Sequence, residues 1–271
     1  MNNHGWTKKT INTHGQQICV YDSETGSRGV VLLSHSILSA AAMWEAQAAL
    51  LHQGGYRVLA MDTRGHGASG PTELGFSLND LGNDCIGVLD SLGVARAHFM
   101  GLSLGGMIGI GLGIHHTARF ESLVICDTRA DMPQEMAESW NPRIDLALSQ
   151  GCAAMADATV ERWFGADYAK DPANSAVMKA FKDQIGATSV NGFVGCARAI
   201  QKLDYAPKVS SITVRTTFVS GENDGPFPKA LTALAEQLPQ ARYRSVSKAG
   251  HLPNVQNAPE FNDILKDHFG L

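Results

Sequence analysis

Long apolar runs are missing from this 271-residue chain, and none approaches the roughly 18 residues that a membrane-spanning helix requires. No membrane partner is therefore expected. Dense Lys/Arg clusters are missing as well. With 22 basic against 26 acidic residues the formal net charge is −4, so the electrostatic footprint of a nucleic-acid binder is absent and a small molecule is the expected partner. Cysteine is scarce: Cys19, Cys85, Cys126, Cys152 and Cys196 are odd in number, widely spaced and set mostly in apolar contexts. They read as reduced packing residues rather than a disulfide framework. Without a CxxC pair, an HExxH pattern or a close His/Cys/Asp cluster, no metal site is indicated. The phosphate-cradling G-x-G-x-x-G and GK[ST] patterns are also lacking, so no cofactor is expected. The first residues, MNNHGWTKKTINTHG, contain no apolar stretch of the kind that directs secretion, and the expectation is a cytoplasmic protein.

Hydrophobic residues make up 44% of the chain and charged residues 18%, enough apolar material for one large domain with a substantial core. Short aliphatic runs bounded by turn residues alternate with helical patterns, which predicts an α/β fold with a mainly parallel sheet. After two strand-like stretches, KTINT and QQICVYDSE, come GVVLLSH (29–35), YRVLAMD (56–62), AHFMGLS (97–103), FESLVICD (120–127), TVRTTFVSG (213–221) and ARYRSVSKA (241–249). Helical spacing fills the intervals at about 41–52, 78–92, 104–115, 229–238 and 258–269. The alternation breaks between Asp127 and about Pro207, where apolar residues recur only at helical spacing. This gives a core of residues 1–128 and 207–271 and a helical cap of residues 129–206, placed over the strand ends where open α/β sheets bind ligands.

The segment FMGLSLGGMIGIGLG (99–113) sets six glycines around one serine. Gly101, Ser103 and Gly105 form G-x-S-x-G after a strand and before a helix, the context in which a nucleophilic serine is held on a strained turn. The alternative is that the glycines only let the helix approach the sheet, since Gly105, Gly109 and Gly113 share one face. Both readings can hold together. A serine hydroxyl needs a histidine base and a carboxylate to orient it. The chain supplies both, in the order serine, acid, histidine: Asp224 follows the strand that ends at Gly221, and His251 lies in a loop after the last strand.

On these motifs the chain resembles the α/β-hydrolase superfamily, with its elements matching from about residue 15 to the end. The resemblance implies the triad Ser103, Asp224 and His251, with Asp127 as a rival acid and Glu222 less favoured. It places the oxyanion-hole donors on the backbone of Ile37 and Leu104, and makes Asp62, Arg64 and His66 of MDTRGHGASG a brace rather than catalytic groups. His115 and His116 end the nucleophile helix, where a contact with its C-terminal dipole accounts for them.

Superfamily members that cleave haloalkanes, and most that open epoxides, have aspartate where Ser103 stands, so acyl transfer through an acyl-serine is the implied chemistry. More finely, SHSILSAAAMWEAQ, SWNPRI, ADATVERWF and NGFVGCARAIQKLD are similar to segments of 3-oxoadipate enol-lactonases. The chain departs from that pattern at His35, at Leu38 (a glycine in the family) and in the longer DTRADMPQEMAESW. The implied substrate is a small lactone with a free carboxylate, which calls for a buried cation. Arg129, Arg143 and Arg198 are the candidates, and Arg143 in WNPR is favoured over the alternative of a solvent-facing or bracing arginine. Trp140, Trp163 and Phe164 would wall the pocket or simply fill the cap core. Other esterase or lactonase substrates, a perhydrolase side activity and a ligand sensor on the same fold are the competing readings.

Overall fold

The computed structural model describes residues 5–271, so the first four residues of the N-terminal stretch lie outside the described residues. Two strands, β1 (Thr7–Thr13) and β2 (Gln16–Asp22), form an antiparallel hairpin. His14 and Gly15 between them both have positive φ, the geometry whose twist suits a two-residue hairpin turn. The remaining strands are β3 (Val30–Ser34), β4 (Arg57–Met61), β5 (Ala97–Leu102), β6 (Phe120–Cys126), β7 (Arg215–Gly221) and β8 (Ala241–Val246). They make one eight-stranded sheet in the order β1-β2-β4-β3-β5-β6-β7-β8, parallel from β4 to β8. The aliphatic runs of β3, β5 and β6 lie in its middle and are almost wholly buried, as strands covered on both faces must be.

Strand order reverses at β3, whose neighbours are β4 and β5. The crossover through α1 (Glu45–Gln53) steps one way along the sheet and that through α2 (Leu78–Ser91) the other, so the right-handed rule puts the two helices on opposite faces. The loops leaving β3 and β5 diverge at this switch point and leave a crevice between them. The helix α3 (Leu104–His115) follows β5 and is buried nearly all round. A Cβ at Gly109 would run into Ile125 and Phe99, and one at Gly113 into Leu123, so these glycines allow the close approach to the sheet.

Between β6 and β7 the chain is helical: α4 (Gln134–Glu138), α5 (Asn141–Gln150), α6 (Ala156–Phe164), α7 (Ala166–Lys170), α8 (Ser175–Ala187) and α9 (Val190–Gln201). Backbone bonds tie this layer to the loops at the strand ends. Ser189 N–H donates to Gly65 O at 2.9 Å, and Tyr205 N–H to Ala130 O at 2.7 Å. The chain closes with α10 (Phe227–Glu236), α11 (Pro253–Gln256) and α12 (Ala258–Phe269), the last of which packs beside α1. The spacing predicts a helix at 229–238; Pro226 and Pro228 fit a helix N-terminus and start it two residues earlier.

Candidate active site

Ser103 joins β5 to α3 with φ 56° and ψ −111°, a backbone conformation that a non-glycine residue adopts only when its surroundings enforce it. They do so from three sides. Its N–H donates to Cys126 O at 2.9 Å, its carbonyl accepts from Thr128 Oγ1 at 2.9 Å, and Gly105 N–H reaches His35 O at 3.2 Å. A Cβ at Gly101 would meet the Gly105 carbonyl, and one at Gly105 the Ser34 carbonyl, which explains why both flanking positions are glycine.

His251 and Asp224 stand at the same edge of the sheet, after β8 and β7. His251 Nδ1 lies 2.7 Å from Asp224 Oδ2, and its backbone N–H donates to the Trp163 carbonyl at 2.7 Å. Burial would raise the Asp224 carboxyl, but the positive field and hydrogen bond of His251, with help from Asp127 and Arg162, hold it below the ordinary carboxylate range. With Nδ1 facing a carboxylate, Nε2 is the nitrogen left to act as a base. Ser103, His251 and Ile37 all border one cavity of about 370 Å³ between the sheet and the helical layer.

The loop after β3 carries its own strain. Leu38 is fully buried at φ 63°. Packing therefore holds a leucine in the left-handed region that glycine would enter freely. The N–H groups of Ile37 and Leu104 have no hydrogen-bond partner among the described residues. Leu104 is the first residue of α3, where an N–H has no intrahelical acceptor, so a pair of donors is open at this place.

The carboxylate and guanidinium of the DTRGHG loop are occupied internally. Asp62 accepts from Ala41 N–H (2.7 Å) and Ala68 N–H (2.8 Å), and Arg64 grips Asp84 with two bonds of 2.7 Å. His66 Nδ1 sits 3.1 Å from Arg64 O, and burial pushes the ring down to about 3. His35 is likewise pushed down to about 4 by burial, and its Nε2 accepts from Thr63 N–H at 2.8 Å. Both rings brace the strand ends as neutral groups.

Comparison with known proteins identifies the fold family. A family model described as alpha/beta hydrolase fold matches residues 29–258. The chain belongs to that family. It is 31% identical to 3-oxoadipate enol-lactonase 1 of Acinetobacter baylyi over 94% of this chain and 93% of the relative. The crystal structure of the enol-lactonase from Burkholderia xenovorans superposes with a TM-score of 0.90 at 31% identity, covering 98% of this chain and all of that one. A putative carbamate hydrolase, RutD of Variovorax paradoxus, is 28% identical over 88% of this chain and 90% of its own length.

In this alpha/beta hydrolase the expected pocket residues part company. Arg143 and Trp140 border the cavity, with the Arg143 guanidinium 4.1 Å from the centre of the Trp140 ring. Arg143 Nη2 is buried and unpartnered, and burial together with the nearby Arg162 charge pushes the guanidinium down to about 9. Trp163 was expected on the pocket wall, but it is fully buried, packs edge-on to Phe181 and does not border the cavity; its link to the site is its carbonyl. Arg129 borders the cavity but is paired with Asp131 at 2.8 Å, and Arg198 lies in a separate surface groove. Phe164 stacks on Tyr168 outside the cavity.

Among the cavity residues that the sequence does not single out, one is aromatic and one is charged. Phe227 follows the acid loop and puts its ring 5.4 Å from that of His251. Arg162, an exposed residue in the last turn of α6, borders both this cavity and a neighbouring groove, and the protein packed around its guanidinium lowers it while Asp224 opposes the shift. No helix among the described residues is long and apolar enough to cross a membrane, and all five cysteines are buried and free.

Proposed function

We propose that this hydrolase opens a small carboxylate-bearing lactone or ester through an acyl-Ser103 intermediate, with 3-oxoadipate enol-lactone as the leading substrate. One observation carries the reading. Arg143 and Arg162 share a cavity with Ser103 and His251, and neither makes an ion pair among the described residues. Arg143, with its Nη2 buried and unpartnered, is a costly desolvated cation that an anionic substrate would relieve, while the exposed Arg162, near Asp224, adds positive charge at the rim of the same cavity. In this reading the segment 129–206 is a cap over a core of 1–128 and 207–271, with Trp140 as pocket wall and Trp163 supporting His251 through its backbone.

The chemistry follows from the placement. Ser103 Oγ attacks the lactone carbonyl while His251 Nε2 takes its proton, and Asp224 stabilises the imidazolium through Nδ1. The carbonyl oxygen turns its charge toward the Ile37 and Leu104 N–H groups, and each such donor is worth about 3 kcal/mol in the transition state. The ring C–O bond then breaks, and the enol oxygen leaves with the proton held by His251. Water, deprotonated by His251, cleaves the acyl-serine and restores the hydroxyl. The released enol tautomerises to the ketone. No step requires a metal or a cofactor.

The test is kcat/KM on 3-oxoadipate enol-lactone beside p-nitrophenyl acetate and a small carbamate, with Ser103→Ala as the blank. Strong preference for the enol-lactone, lost in the variant, supports the reading. Preference for the neutral ester rejects the carboxylate pocket, and preference for the carbamate moves the substrate toward that of the RutD relatives. Binding without multiple turnover would leave a ligand sensor.

A further inference from the structure

Behind the histidine the structure holds a second carboxyl that the proposed mechanism does not use. Asp127 ends β6 in the left-handed region, at φ 43°, and is fully buried. Its Oδ1 accepts from Gly221 N–H at 2.9 Å, which locks the side chain against the end of β7. Its Oδ2 is buried, and no N–H or O–H donor among the described residues reaches it. What it does face is the Asp224 carboxyl: oxygens of Asp127 and Asp224 and a ring nitrogen of His251 lie within 4.8 Å of one another. A strained aspartate aimed at another carboxylate is an arrangement that a packing role leaves unexplained.

We propose that Asp127 is a neutral carboxylic acid whose O–H donates to Asp224, making it a positioning residue that holds the Asp224 carboxylate on His251. Two carboxyls this close, one fully buried and the other nearly so, disfavour a second negative charge, so one proton is shared between them. The surroundings assign it. Asp224 faces His251 from the loop after β8 and feels the Arg162 charge from α6, whereas Asp127 faces only Asp224, the Cys126 thiol of its own strand and the Gly221 amide. The proton stays where there is no cation, and burial and the Asp224 charge accordingly raise Asp127 well above the ordinary carboxylate range. As donor, Asp127 occupies one side of the Asp224 carboxyl and leaves the other for Nδ1. Its hydrogen bond also draws charge from Asp224, which moderates the basicity that Asp224 lends to the histidine.

This inference rests on the Ser103, Asp224, His251 assignment but not on the identity of the substrate, so it is read on any ester that the wild type hydrolyses. Three variants are compared over pH. Asp127→Asn keeps a donor toward Asp224 and an acceptor toward Gly221, so kcat/KM should stay within about threefold of wild type with the same acid limb. Asp127→Ala removes the donor; kcat/KM should fall about tenfold or more, and the acid limb should move to higher pH because the unmoderated carboxylate favours the protonated base. Asp224→Asn should lose on the order of 10³-fold or more. If Asp127→Asn were as damaging as Asp224→Asn, Asp127 would act as a charged acid and the proposal would fall. An unmoved acid limb in Asp127→Ala would also overturn it. Should Asp127→Ala not fold, the infrared spectrum decides. At neutral pH the wild type should show a protonated-carboxyl C=O stretch that Asp127→Asn lacks, and its absence from the wild type would refute the assignment. Inactivity of the wild type on every ester would strike the triad reading instead, and the infrared result would still stand.

Discussion

Beneath the loop after β4, Arg64 and Asp84 meet in a bidentate pair with side chains only 8% and 2% exposed. At the sheet edge, Asp22 is gripped by Arg57 and Lys9, each at 2.7 Å. Across the molecule, Arg143 borders the cavity with its Nη2 buried and no acid to meet it, and Asp127 stands beside another carboxyl. The first region completes its charges within the fold. The second leaves them incomplete around the serine and histidine. Burying a charge without a partner is among the more expensive things a fold can do, so where it persists the missing partner is to be sought in a ligand or a proton.

The contrast predicts that changes in the two regions affect different measurements. The largest effect should come from Ser103→Ala, which should lower kcat by at least about 10³-fold while leaving the melting temperature within a few degrees of wild type. A residual rate close to wild type would remove Ser103 as nucleophile and with it the functional meaning of the open charges.

Breaking a completed pair should do the opposite. Asp84→Asn leaves Arg64 buried without its counter-charge and should cost about 3–5 kcal/mol in urea unfolding, with KM of the refolded enzyme little changed. Substantial loss of turnover at unchanged stability would show that the brace takes part in the chemistry and would blur the comparison. Arg143→Met lies between the two. It removes an uncompensated charge and keeps the apolar stem, so stability should hold or rise. On a carboxylate substrate kcat/KM should fall by about 10–100-fold, the worth of a charge-assisted hydrogen bond, with a neutral ester barely affected. Equal losses on both substrates would make Arg143 a structural residue.

How much of this could be read in the chain depends on where each constraint is local. The G-x-S-x-G turn is legible because the steric conflicts at Gly101 and Gly105 come from residues a few positions away or on the neighbouring strand. Asp224 and His251 are legible because each follows a strand end, and in an open parallel sheet the strand ends share one edge. Arg162 was hidden by its own helix. Thr159, Val160, Trp163 and Phe164 form the buried stripe of α6, which by periodicity turns Arg162 toward solvent, and only the fold reveals that the solvent there is the cavity. Trp163 misled for the same reason. A large aromatic in a cap suits a pocket wall and a packed core equally well, and its contribution through a carbonyl leaves no mark on the sequence. Asp127 was legible as an acid near the histidine, but its relation to Asp224 depends on a backbone angle and a contact between two strand ends.

The smallest prediction sharpens the comparison through pH. Burial would raise the Asp22 carboxyl, but its bonds from Arg57 and Lys9 win and bring it down to about 2. A carboxyl depressed in the folded state contributes stability that is present above its unfolded value, near 3.9, and is lost as pH falls through about 2. Asp127 has the opposite sign. Raised in the folded state, it costs nothing below the unfolded value, where both states hold the proton, and costs progressively more as pH rises and only the unfolded chain releases it. Asp22→Asn should therefore be less stable than wild type at neutral pH, and Asp127→Asn more stable, with both differences shrinking as the pH is lowered toward the acid range. Urea midpoints for the two variants, taken from neutral pH down to the acid limit of folding, read this directly. Shifts of the same sign for both variants would mean that the two carboxyls are not under opposite rules, and the division between completed and open charges would fail at the place where it is most finely drawn.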